Sequence, residues 1–401
     1  MDETPPNTLR LQVIILSLVN PYRPHANGGS EDIRRRIETL AEVGADIQVF
    51  AIDHANELNV AQQIPHNVCL RLYPRHIDPR PWRWNYPLAC IRRYSASMIA
   101  DVHLILQEDS KRQQIVFLEG MQLFALWNDI KAYIPQNALT ILRVHNIESR
   151  YHASVASESK GFLKLAHRLS SLQYLPLENK LLPEFDYIYA ISADEAEFIK
   201  TNHLHVAENV KLVYPIPRTK ELGHPEKLNG DPFVLCYFGD LTLPNNSVGL
   251  HWFCREVLPR ISSGNMELRV AGKGSEAFSA YDKVSTFGFV EDLDDYLSRA
   301  HVMIAPIFSG AGVKIKVLDA VGYGKPLVTT AQGAQGFPVW LINKLCVASN
   351  VDEYVGIILK MMENYSAEVQ RARALQKELE EKMGKSIFLG QFQNDIHVKM
   401  D

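Results

Sequence analysis

The feature that most constrains the fold is a repeated alternation between short apolar runs and amphipathic stretches. Leu11–Val19 is an apolar run of strand length, a polar loop follows it, and Ile33–Glu42 has the spacing of an amphipathic helix. A helix stop at Gly44 then leads into a second apolar run. Short apolar runs joined by helices are typical of parallel sheets buried on both faces, so the sequence predicts an α/β fold.

The same alternation continues along the first half of the chain. Ser192–Glu195 reads Ser-Ala-Asp-Glu, a capping box that predicts the start of a helix. Further strands are predicted at His103–Gln107, Gln113–Gly120, Leu139–Asn146 and Asp186–Ser192.

The regular pattern stops at Tyr214–Phe233, which holds four prolines, two glycines and no apolar period. Such a composition is typical of a linker. A second α/β series follows, and a charged helix is predicted near the C-terminus at Ala367–Met383. The strands of this second α/β series are predicted at Phe233–Gly239, Met266–Gly272, His301–Ile307 and Lys325–Ala331.

The length of 401 residues fits two domains, since a domain commonly has about 100–200 residues. We expect a first domain at residues 1–212, a linker at 213–233 and a second domain at 234–384. The C-terminal segment, residues 385–401, is expected to return to the first domain. Ligands of such sheets bind at the carboxyl ends of the strands.

Composition excludes several classes of protein. A net charge of −4 gives no general attraction to nucleic acid or membrane. Five cysteines without a C-x-x-C pair favour neither a disulfide framework nor a zinc site, and they fit a reducing compartment. The acidic, proline-containing start is not typical of a signal peptide, and Leu11–Val19 is too short to span a membrane. The expected location is cytoplasmic.

The stretch Ser309–Thr330 concentrates residues that suit phosphate chemistry. Gly310 and Gly312 follow a predicted strand and let a backbone approach a ligand closely. The helical spacing that begins at Val313 would place bare N–H groups at the same point, which is an anion site.

Lys314 falls in the first turn of that predicted helix, where the helix dipole disfavours a cation. A bound diphosphate would reverse this preference. Asp319 follows about two turns into the helix, where a carboxylate can accept hydrogen bonds from ribose hydroxyls. The alternative is an ordinary strand-loop-helix unit with solvated lysines.

An ordered set of motifs resembles the GT-B glycosyltransferases, specifically the retaining family 4. The sequence departs from the family pattern at charged positions. The first acidic residue of the usual pair is missing, and Ser309 is the residue nearest to its position. Asp240 and Asn245–Asn246 stand where basic residues are common. Lys314 and Lys316 are the expected replacements. The motifs are Asn27–Asp32, Leu142–Ser149, Phe238–Asn246, Arg269–Gly274, Phe287–Ile307 and Gly310–Thr330.

The resemblance implies two Rossmann-like domains facing across a cleft, with the donor on the second and the acceptor on the first. It implies a hexosyltransferase that moves a sugar, with retention, from a UDP- or GDP-linked donor to a glycan or lipid-linked acceptor in polysaccharide or glycoconjugate biosynthesis. No cofactor is expected.

The resemblance also implies roles for particular residues. His145 and Lys314 are expected to be catalytic, with His145 near the reacting carbon of the donor sugar. Sugar or acceptor contacts are expected from Trp82, Arg83, Arg143 and Asn146. Donor-binding residues are expected at Gly28, Gly29, Gly239, Gly272, Lys273, Gly274, Val290, Ser309, Gly310, Ala311, Gly312, Val313, Lys316 and Asp319.

The segment Asp292–Asp295 contains an Asp-x-Asp pattern, which binds metal in other glycosyltransferases. Acidic residues just before a helix have a structural reason, because they complement the helix dipole. We favour the structural interpretation and predict no metal.

Two basic stretches stand out in the first half of the chain. Arg71–Tyr94 holds six arginines and two tryptophans against one acidic residue, and Gly161–Leu177 is amphipathic and basic. Both fit a membrane interface or an anionic lipid-linked acceptor, and both also fit ordinary packing within the first domain. A peripheral position at the inner face of a membrane is therefore an open expectation.

Two other functions stay open. The missing acidic residue fits a non-catalytic nucleotide-sugar-binding partner in a glycan-assembly complex. The double-domain pattern also fits a nucleotide-sugar epimerase, although no acid/base set for one is evident. The sequence does not identify the base, the sugar, the acceptor, the linkage, the oligomeric state or the effect of Ser309.

Overall fold

The structure, a computed structural model, describes residues 11–23, 28–55, 58–60, 63–76, 85–108, 112–226, 230–261, 265–310 and 312–400. Three of the expected site residues, Trp82, Arg83 and Ala311, lie outside the described residues. So does part of the basic stretch Arg71–Tyr94, namely residues 77–84.

The chain forms two compact units. The first unit is Met1–Tyr214 together with Phe388–Asp401, and the second is Pro215–Ile387. The segment expected to be a linker lies almost wholly in the second unit, where the Lys220 N–H donates to the carbonyl of Gly322 at 3.2 Å.

The last helix, Lys385–Met400, is tied to the first unit by its C-terminal part. The hydroxyl of Tyr189 donates to Asp395 at 2.7 Å, and the rings of Phe117 and Phe392 lie 5.8 Å apart. Tyr189 and Phe117 belong to central strands, so this helix covers part of the first sheet.

The first unit is built on a sheet of seven parallel strands. The order across the sheet is β3-β2-β1-β4-β5-β6-β7. The central strands are almost wholly buried, as their apolar runs predicted. The strands are β1 (Leu11–Ser17), β2 (Asp46–Asp53), β3 (Val68–Pro74), β4 (Gln113–Glu119), β5 (Leu139–Val144), β6 (Tyr187–Ala190) and β7 (Val210–Leu212).

One strand prediction in this unit was wrong. His103–Gln107 lies within a helix, Ala96–Glu108, that covers the sheet. A short apolar run cannot by itself be told from a buried helix segment, and here Met98 and Val102 pack into the core at helical spacing. The helices of the unit are α1 (Gly28–Glu42), α2 (Leu88–Ile91), α3 (Ala96–Glu108), α4 (Phe124–Ile130), α5 (Glu148–Glu158), α6 (Gly161–Leu181) and α7 (Ala193–Asn202).

The second unit is built on a sheet of six parallel strands, in the order β10-β9-β8-β11-β12-β13. Its buried strands and the inner faces of its helices form a separate apolar core. The strands are β8 (Phe233–Phe238), β9 (Met266–Ala271), β10 (Val284–Thr286), β11 (Val302–Ala305), β12 (Leu327–Thr330) and β13 (Cys346–Ala348).

Helices flank the second sheet. Phe253–Val257 extends α8 as a π-helix, and the predicted charged helix near the C-terminus is α14. The helices are α8 (Pro244–Trp252), α9 (Leu293–Ser298), α10 (Ile315–Gly322), α11 (Ala331–Ala334), α12 (Val339–Ile342), α13 (Val351–Glu363), α14 (Tyr365–Met383) and α15 (Lys385–Met400).

Two helix starts agree with the sequence prediction. The Ser192 side chain accepts the N–H of Glu195 at the start of α7, and the Asp292 side chain accepts the N–H of Asp295 at the start of α9. The Asp-x-Asp segment therefore caps a helix, and Asp294 pairs with Lys220 at 2.5 Å.

Each sheet has one point at which the strand order reverses. In the first sheet it lies between β1 and β4, and in the second between β8 and β11. In open parallel sheets the crevice outside the carboxyl ends of these strands is where ligands bind. A site is therefore expected at the loops that follow β1 and β4 in the first sheet and β8 and β11 in the second.

Candidate functional site

The carboxyl ends of β8 and β9 approach each other closely. The N–H of Gly239 donates to the carbonyl of Ala271 at 3.1 Å, and a side chain at Gly272 would lie 2.0 Å from the carbonyl oxygen of Gly239. Gly272 also has a φ of +120°, which only glycine adopts readily. These glycines therefore bring together the backbones that follow β8 and β9, on one side of the reversal point between β8 and β11.

The loop between β11 and α10 lies beside this turn. A Cβ atom on Gly310 would lie 3.7 Å from the amide nitrogen of Asn245, at the start of α8. Gly310 and Gly312 both have positive φ, at +101° and +71°. The loop is exposed at Ser309 and Gly310 and borders the same strand ends.

Lys314 occupies a different place from the one expected. Helix α10 begins at Ile315, so Lys314 is its N-cap residue and not part of the first turn. Its ammonium donates to the carbonyls of Gly310 at 2.9 Å and Gly312 at 2.6 Å. Lys314 therefore fixes the glycine loop through backbone oxygens.

The ammonium group of Lys316 lies at the reversal point of the second sheet, beside β8. It donates to the hydroxyl of Tyr237 at 2.8 Å and to the side-chain oxygen of Asn246 at 2.9 Å. The ammonium also lies 4.5 Å from the centre of the Tyr237 ring. A Cβ atom on Gly239 would come within 2.9 Å of it, so glycine at this turn leaves room for the cation.

The charge of Lys316 has no acidic counterpart. Among the described residues, no carboxylate forms an ion pair with it, and both of its hydrogen-bond partners are neutral. Burial lowers the pKa of Lys316 to about 7. A partly buried cation that has only neutral partners among the described residues, at the carboxyl ends of parallel strands, is suited to receive an anion.

Asp319 lies on the same helix as Lys316, and its side chain is buried. Burial raises the pKa of the neighbouring Tyr323, and the negative charge of Asp319 adds to the rise. The guanidinium of Arg218 donates to the Tyr323 hydroxyl at 3.2 Å. Asp319 is thus part of a polar group beneath the helix.

The other expected donor residues occupy the neighbouring loops. Lys273 and Gly274 follow β9, and the carbonyl of Lys273 accepts the N–H of Leu241 at 2.8 Å. Val290 lies between β10 and α9, and Val313 lies in the loop before α10. Nearly all the described donor residues of the second unit therefore lie at one edge of one sheet.

The first unit holds a buried charged network at its own reversal point. Arg36 of α1 donates to both carboxylate oxygens of Glu119, at 2.8 Å each, at the end of β4. Arg143 of β5 donates to Asp32 of α1 at 3.3 Å and also to the carbonyl of Val213. His145, directly after β5, lies 3.2 Å from Glu119 and 3.9 Å from Asp32.

Opposite charges balance within this network. Burial by itself raises the pKa of Asp32, but Arg143 and Arg36 outweigh it and hold that pKa far below its usual range. Burial likewise raises the pKa of Glu119, and Arg36 and the hydrogen bond from His145 lower it further than burial raises it. Both acids are therefore carboxylates that orient the imidazole of His145.

Arg143, expected to contact the sugar or the acceptor, lies two residues before His145, and both side chains contact Asp32. Their exposure differs: the Arg143 side chain is fully buried, whereas the His145 side chain is 18% exposed. The structure gives Arg143 a role inside the first unit, beneath His145. Asn146 follows in the same loop, and Gly28–Gly29 form the exposed start of α1.

Sequence reasoning missed the residues that support these side chains. Tyr237 and Asn246 receive Lys316, and Asp32, Arg36 and Glu119 surround His145. A glutamate that directly follows a buried apolar run, as Glu119 follows Ile115–Leu118, was a usable signal. In the part of the chain that the structure describes, no cluster of three or more metal-binding side chains occurs.

Residues 232–364 match the family model described as Glycosyl transferases group 1. This range contains every strand of the second sheet and the helix that carries Lys316. It identifies the protein as a glycosyltransferase. The enzyme class expected from the sequence is confirmed.

One relative spans most of the chain. It is a Klebsiella pneumoniae protein described as an uncharacterized 44.6 kDa protein in cps region, 24% identical over 376 residues. The match covers 88% of this glycosyltransferase and 92% of the relative.

Solved structures share the fold of the whole chain. Anabaena Alr3699/HepE in complex with UDP has a TM-score of 0.63 at 13% identity, covering 96% of this chain and 100% of that chain. The lipopolysaccharide outer core galactosyltransferase WaaB has a TM-score of 0.58 at 16% identity, covering 97% and 99%. At these identities the likeness concerns the fold, and it confirms the predicted GT-B class with two Rossmann-like parallel sheets.

Proposed function

We propose that this glycosyltransferase moves a hexosyl group from a nucleoside-diphosphate sugar to a glycan or lipid-linked acceptor. The observation that carries the proposal is Lys316, a cation without an acidic partner at the reversal point of the second sheet. A diphosphate supplies the negative charge that this position lacks.

The transfer separates charge, because the sugar leaves a nucleoside diphosphate behind. A cation placed before the reaction stabilises the negative charge that develops on the leaving oxygen. With a pKa of about 7, Lys316 is only part-charged at neutral pH in the free protein. Diphosphate binding favours the charged form, so the site becomes fully cationic when its ligand arrives.

The neighbouring groups take supporting roles in this proposal. Lys314 holds the Gly310–Gly312 loop through two carbonyls, which leaves backbone N–H groups of the loop and the start of α10 for phosphate oxygens. Asp319 accepts hydrogen bonds from the ribose hydroxyls. This order differs from the sequence expectation, in which Lys314 was the principal phosphate ligand.

His145 is proposed as the residue that contacts the transferred sugar. Its imidazole is partly exposed at the carboxyl end of β5, and Glu119 and Asp32 hold it from behind. Two fixed carboxylates define the orientation of the ring, which a positioned sugar contact requires. Retention of configuration and assignment to family 4 are proposed on the resemblance of the motifs.

UDP is the nucleotide we propose first, because the Anabaena structure contains UDP and a further structure of the same protein contains UDP-glucose. A glycan or lipid-linked acceptor fits the printed description of WaaB, a lipopolysaccharide galactosyltransferase, and the cps region of the Klebsiella relative. These descriptions support a place in polysaccharide or glycoconjugate assembly. We propose that the transfer uses no cofactor or metal.

The proposal is tested by thermal unfolding with UDP, GDP, ADP, dTDP and CMP. One of them should raise the melting temperature, because a ligand at about 100 times its dissociation constant stabilises by about 2.7 kcal/mol. Lys316→Met should weaken that nucleotide by about 10–100-fold, as expected for the loss of a charged hydrogen bond. Incubation with the matching nucleotide sugar and candidate acceptors should then release the nucleotide.

Lys360→Met is the matched control, since Lys360 is an exposed lysine on helix α13 of the same unit. It should leave nucleotide binding unchanged. Equal binding by the wild type and Lys316→Met would contradict the assignment of Lys316. Binding without any turnover would favour the non-catalytic alternative for the donor site.

A further inference from the structure

Helix α6, Gly161–Leu181, exposes large apolar side chains of the kind that a helix covering a core normally buries. Surface helices normally bury an apolar stripe and present polar residues to water. Six large apolar side chains of α6 are instead between about half and four-fifths exposed. They are Phe162 (84%), Leu163 (56%), Leu165 (65%), Leu169 (56%), Leu172 (65%) and Leu175 (49%).

Four of these side chains form one continuous line. Phe162, Leu165, Leu169 and Leu172 are separated by three, four and three residues, the spacing that places them on a single face of a helix. This exposed apolar face extends over about three turns. Single exposed leucines are ordinary, but a continuous stripe of this length marks an interaction surface.

The opposite side of α6 is held by polar contacts. The carboxylate of Glu178 accepts the N–H of Ser149 at 2.9 Å and its hydroxyl at 2.5 Å. The hydroxyl of Ser171 donates to the carbonyl of Ser149 at 2.8 Å, and His167 pairs with His152 of α5 at 2.8 Å. These contacts fix the orientation of the helix, so the leucines cannot turn inward without breaking them.

The charges beside the stripe all have one sign. Residues 159–177 contain Lys160, Lys164 and Arg168 and no aspartate or glutamate. All three basic side chains are exposed, and Lys164 and Arg168 directly precede Leu165 and Leu169 in the sequence. The face therefore combines apolar side chains with a parallel line of cations.

We propose that this face of α6 binds the surface of a bilayer that contains anionic lipids. An apolar helix face bordered by Lys and Arg is the pattern of helices that lie in a membrane interface. Anionic headgroups attract the three cations while the acyl region receives the leucines. No helix of the described residues has the length and apolarity to cross a membrane, which fits a helix lying flat on the surface.

A second copy of the chain complements this face less well than a bilayer does. Pairing two copies would bring together three cations from each, and the segment offers no carboxylate to neutralise them. Helix α6 belongs to the first unit, whereas the proposed donor site belongs to the second.

The test is cosedimentation of the full chain with vesicles, without nucleotide. Wild-type protein should bind vesicles of phosphatidylcholine with phosphatidylglycerol, and added salt should weaken the binding. The triple variant Leu165→Ser, Leu169→Ser, Leu172→Ser should bind at least about tenfold more weakly. Lys164→Ala and Arg168→Ala should each weaken binding by up to about fivefold, and only on anionic vesicles.

Leu104→Ser with Leu204→Ser is the matched control, since both leucines are exposed elsewhere in the same unit, at 57% and 77%. It should bind like the wild type, and circular dichroism should show all variants folded. Equal binding by the triple variant overturns the proposal. So does a concentration-dependent dimer, measured by light scattering without lipid, that the triple variant loses.

Discussion

The two sheets carry charged side chains at equivalent points, but they treat those charges in opposite ways. In the first unit, Arg36 and Arg143 are matched by Glu119 and Asp32. In the second unit, Lys316 has only neutral partners among the described residues. The charges of the first set balance each other within the protein, whereas Lys316 is the group to which we propose that a diphosphate binds.

This difference distinguishes an ion pair that positions a neighbouring side chain from a charged group that can receive a ligand. A balanced network fixes a neighbouring side chain, here His145, whose exposed edge faces solvent. An unbalanced cation stores an unfavourable desolvation energy that an anionic ligand relieves. Three predictions follow from this contrast, beginning with the largest expected effect.

Arg36→Met should lower the free energy of unfolding by about 3–5 kcal/mol, because it leaves the buried carboxylate of Glu119 without its bidentate partner. Lys316→Met should lower it by less than about 1 kcal/mol or raise it, because no ion pair is broken. The measurement is urea unfolding followed by tryptophan fluorescence.

Arg299→Met is the control for loss of an arginine. Its ion pair with Asp295 is 2.9 Å long, but the two side chains are 67% and 52% exposed, so the cost should stay within about 1 kcal/mol. If Lys316→Met proved as costly as Arg36→Met, the contrast between the two sites would be wrong.

Nucleotide affinity should fall as the pH rises above 7. The pKa of Lys316 in the free protein is about 7, so at higher pH the lysine must take up a proton before it can pair with the diphosphate. The affinity should therefore decrease by up to about tenfold per pH unit. Phosphate ionisation, with a pKa of about 6, is nearly complete in this range and contributes little, with the opposite sign. Calorimetric titrations between pH 7 and 9 measure the slope.

Lys316→Arg should flatten this dependence, since arginine stays charged throughout the range. The pH dependence of stability has the opposite sign to the pH dependence of nucleotide affinity. Without ligand, the unfolded chain holds the Lys316 proton up to its ordinary pKa of 10.5 while the folded chain releases it near 7. The contribution of Lys316 to stability therefore rises with pH in that window. A pH-independent affinity in the wild type would contradict the role given to Lys316.

Lys314→Ala should have the smallest effect, about two- to tenfold on nucleotide affinity, because it removes two hydrogen bonds that hold the loop and no principal phosphate contact. The same titrations measure it beside Lys316→Met. A larger loss of nucleotide affinity for Lys314→Ala than for Lys316→Met would make Lys314 the principal phosphate ligand, as expected from the sequence.

A third lysine shows why position in the sheet matters. Lys325 is 2% exposed, and its ammonium donates to the carbonyls of Gly223 at 3.0 Å and Ala300 at 2.9 Å. Burial lowers its pKa to about 8. It lies just before β12, at the amino end of the strands, where ligands of parallel sheets do not bind. Lys325 is therefore structural, although its pKa is lowered like that of Lys316.

Much of the fold was readable from the sequence, because strand and helix periods are local properties of the chain. The predicted strands along β1, β2, β4, β5, β6, β8, β9, β11 and β12 are present, and so are the caps at Ser192 and Asp292. The strand prediction at His103–Gln107 was wrong because the pattern of five residues does not distinguish a strand from a turn of a buried helix. Strand β3 was not predicted; it lies at the edge of the first sheet, and its burial is incomplete.

The sequence by itself determined that two parallel sheets form, that glycine-rich loops follow their strands, and that Lys314, Lys316, Asp319 and His145 lie near strand ends. Only the tertiary structure decided which of these charges are neutralised. Glu119 and Arg36 are 83 residues apart in the chain, and Lys316 meets Asn246 across 70. Charge balance, burial and pKa depend on distances between such remote residues, and no local pattern encodes them.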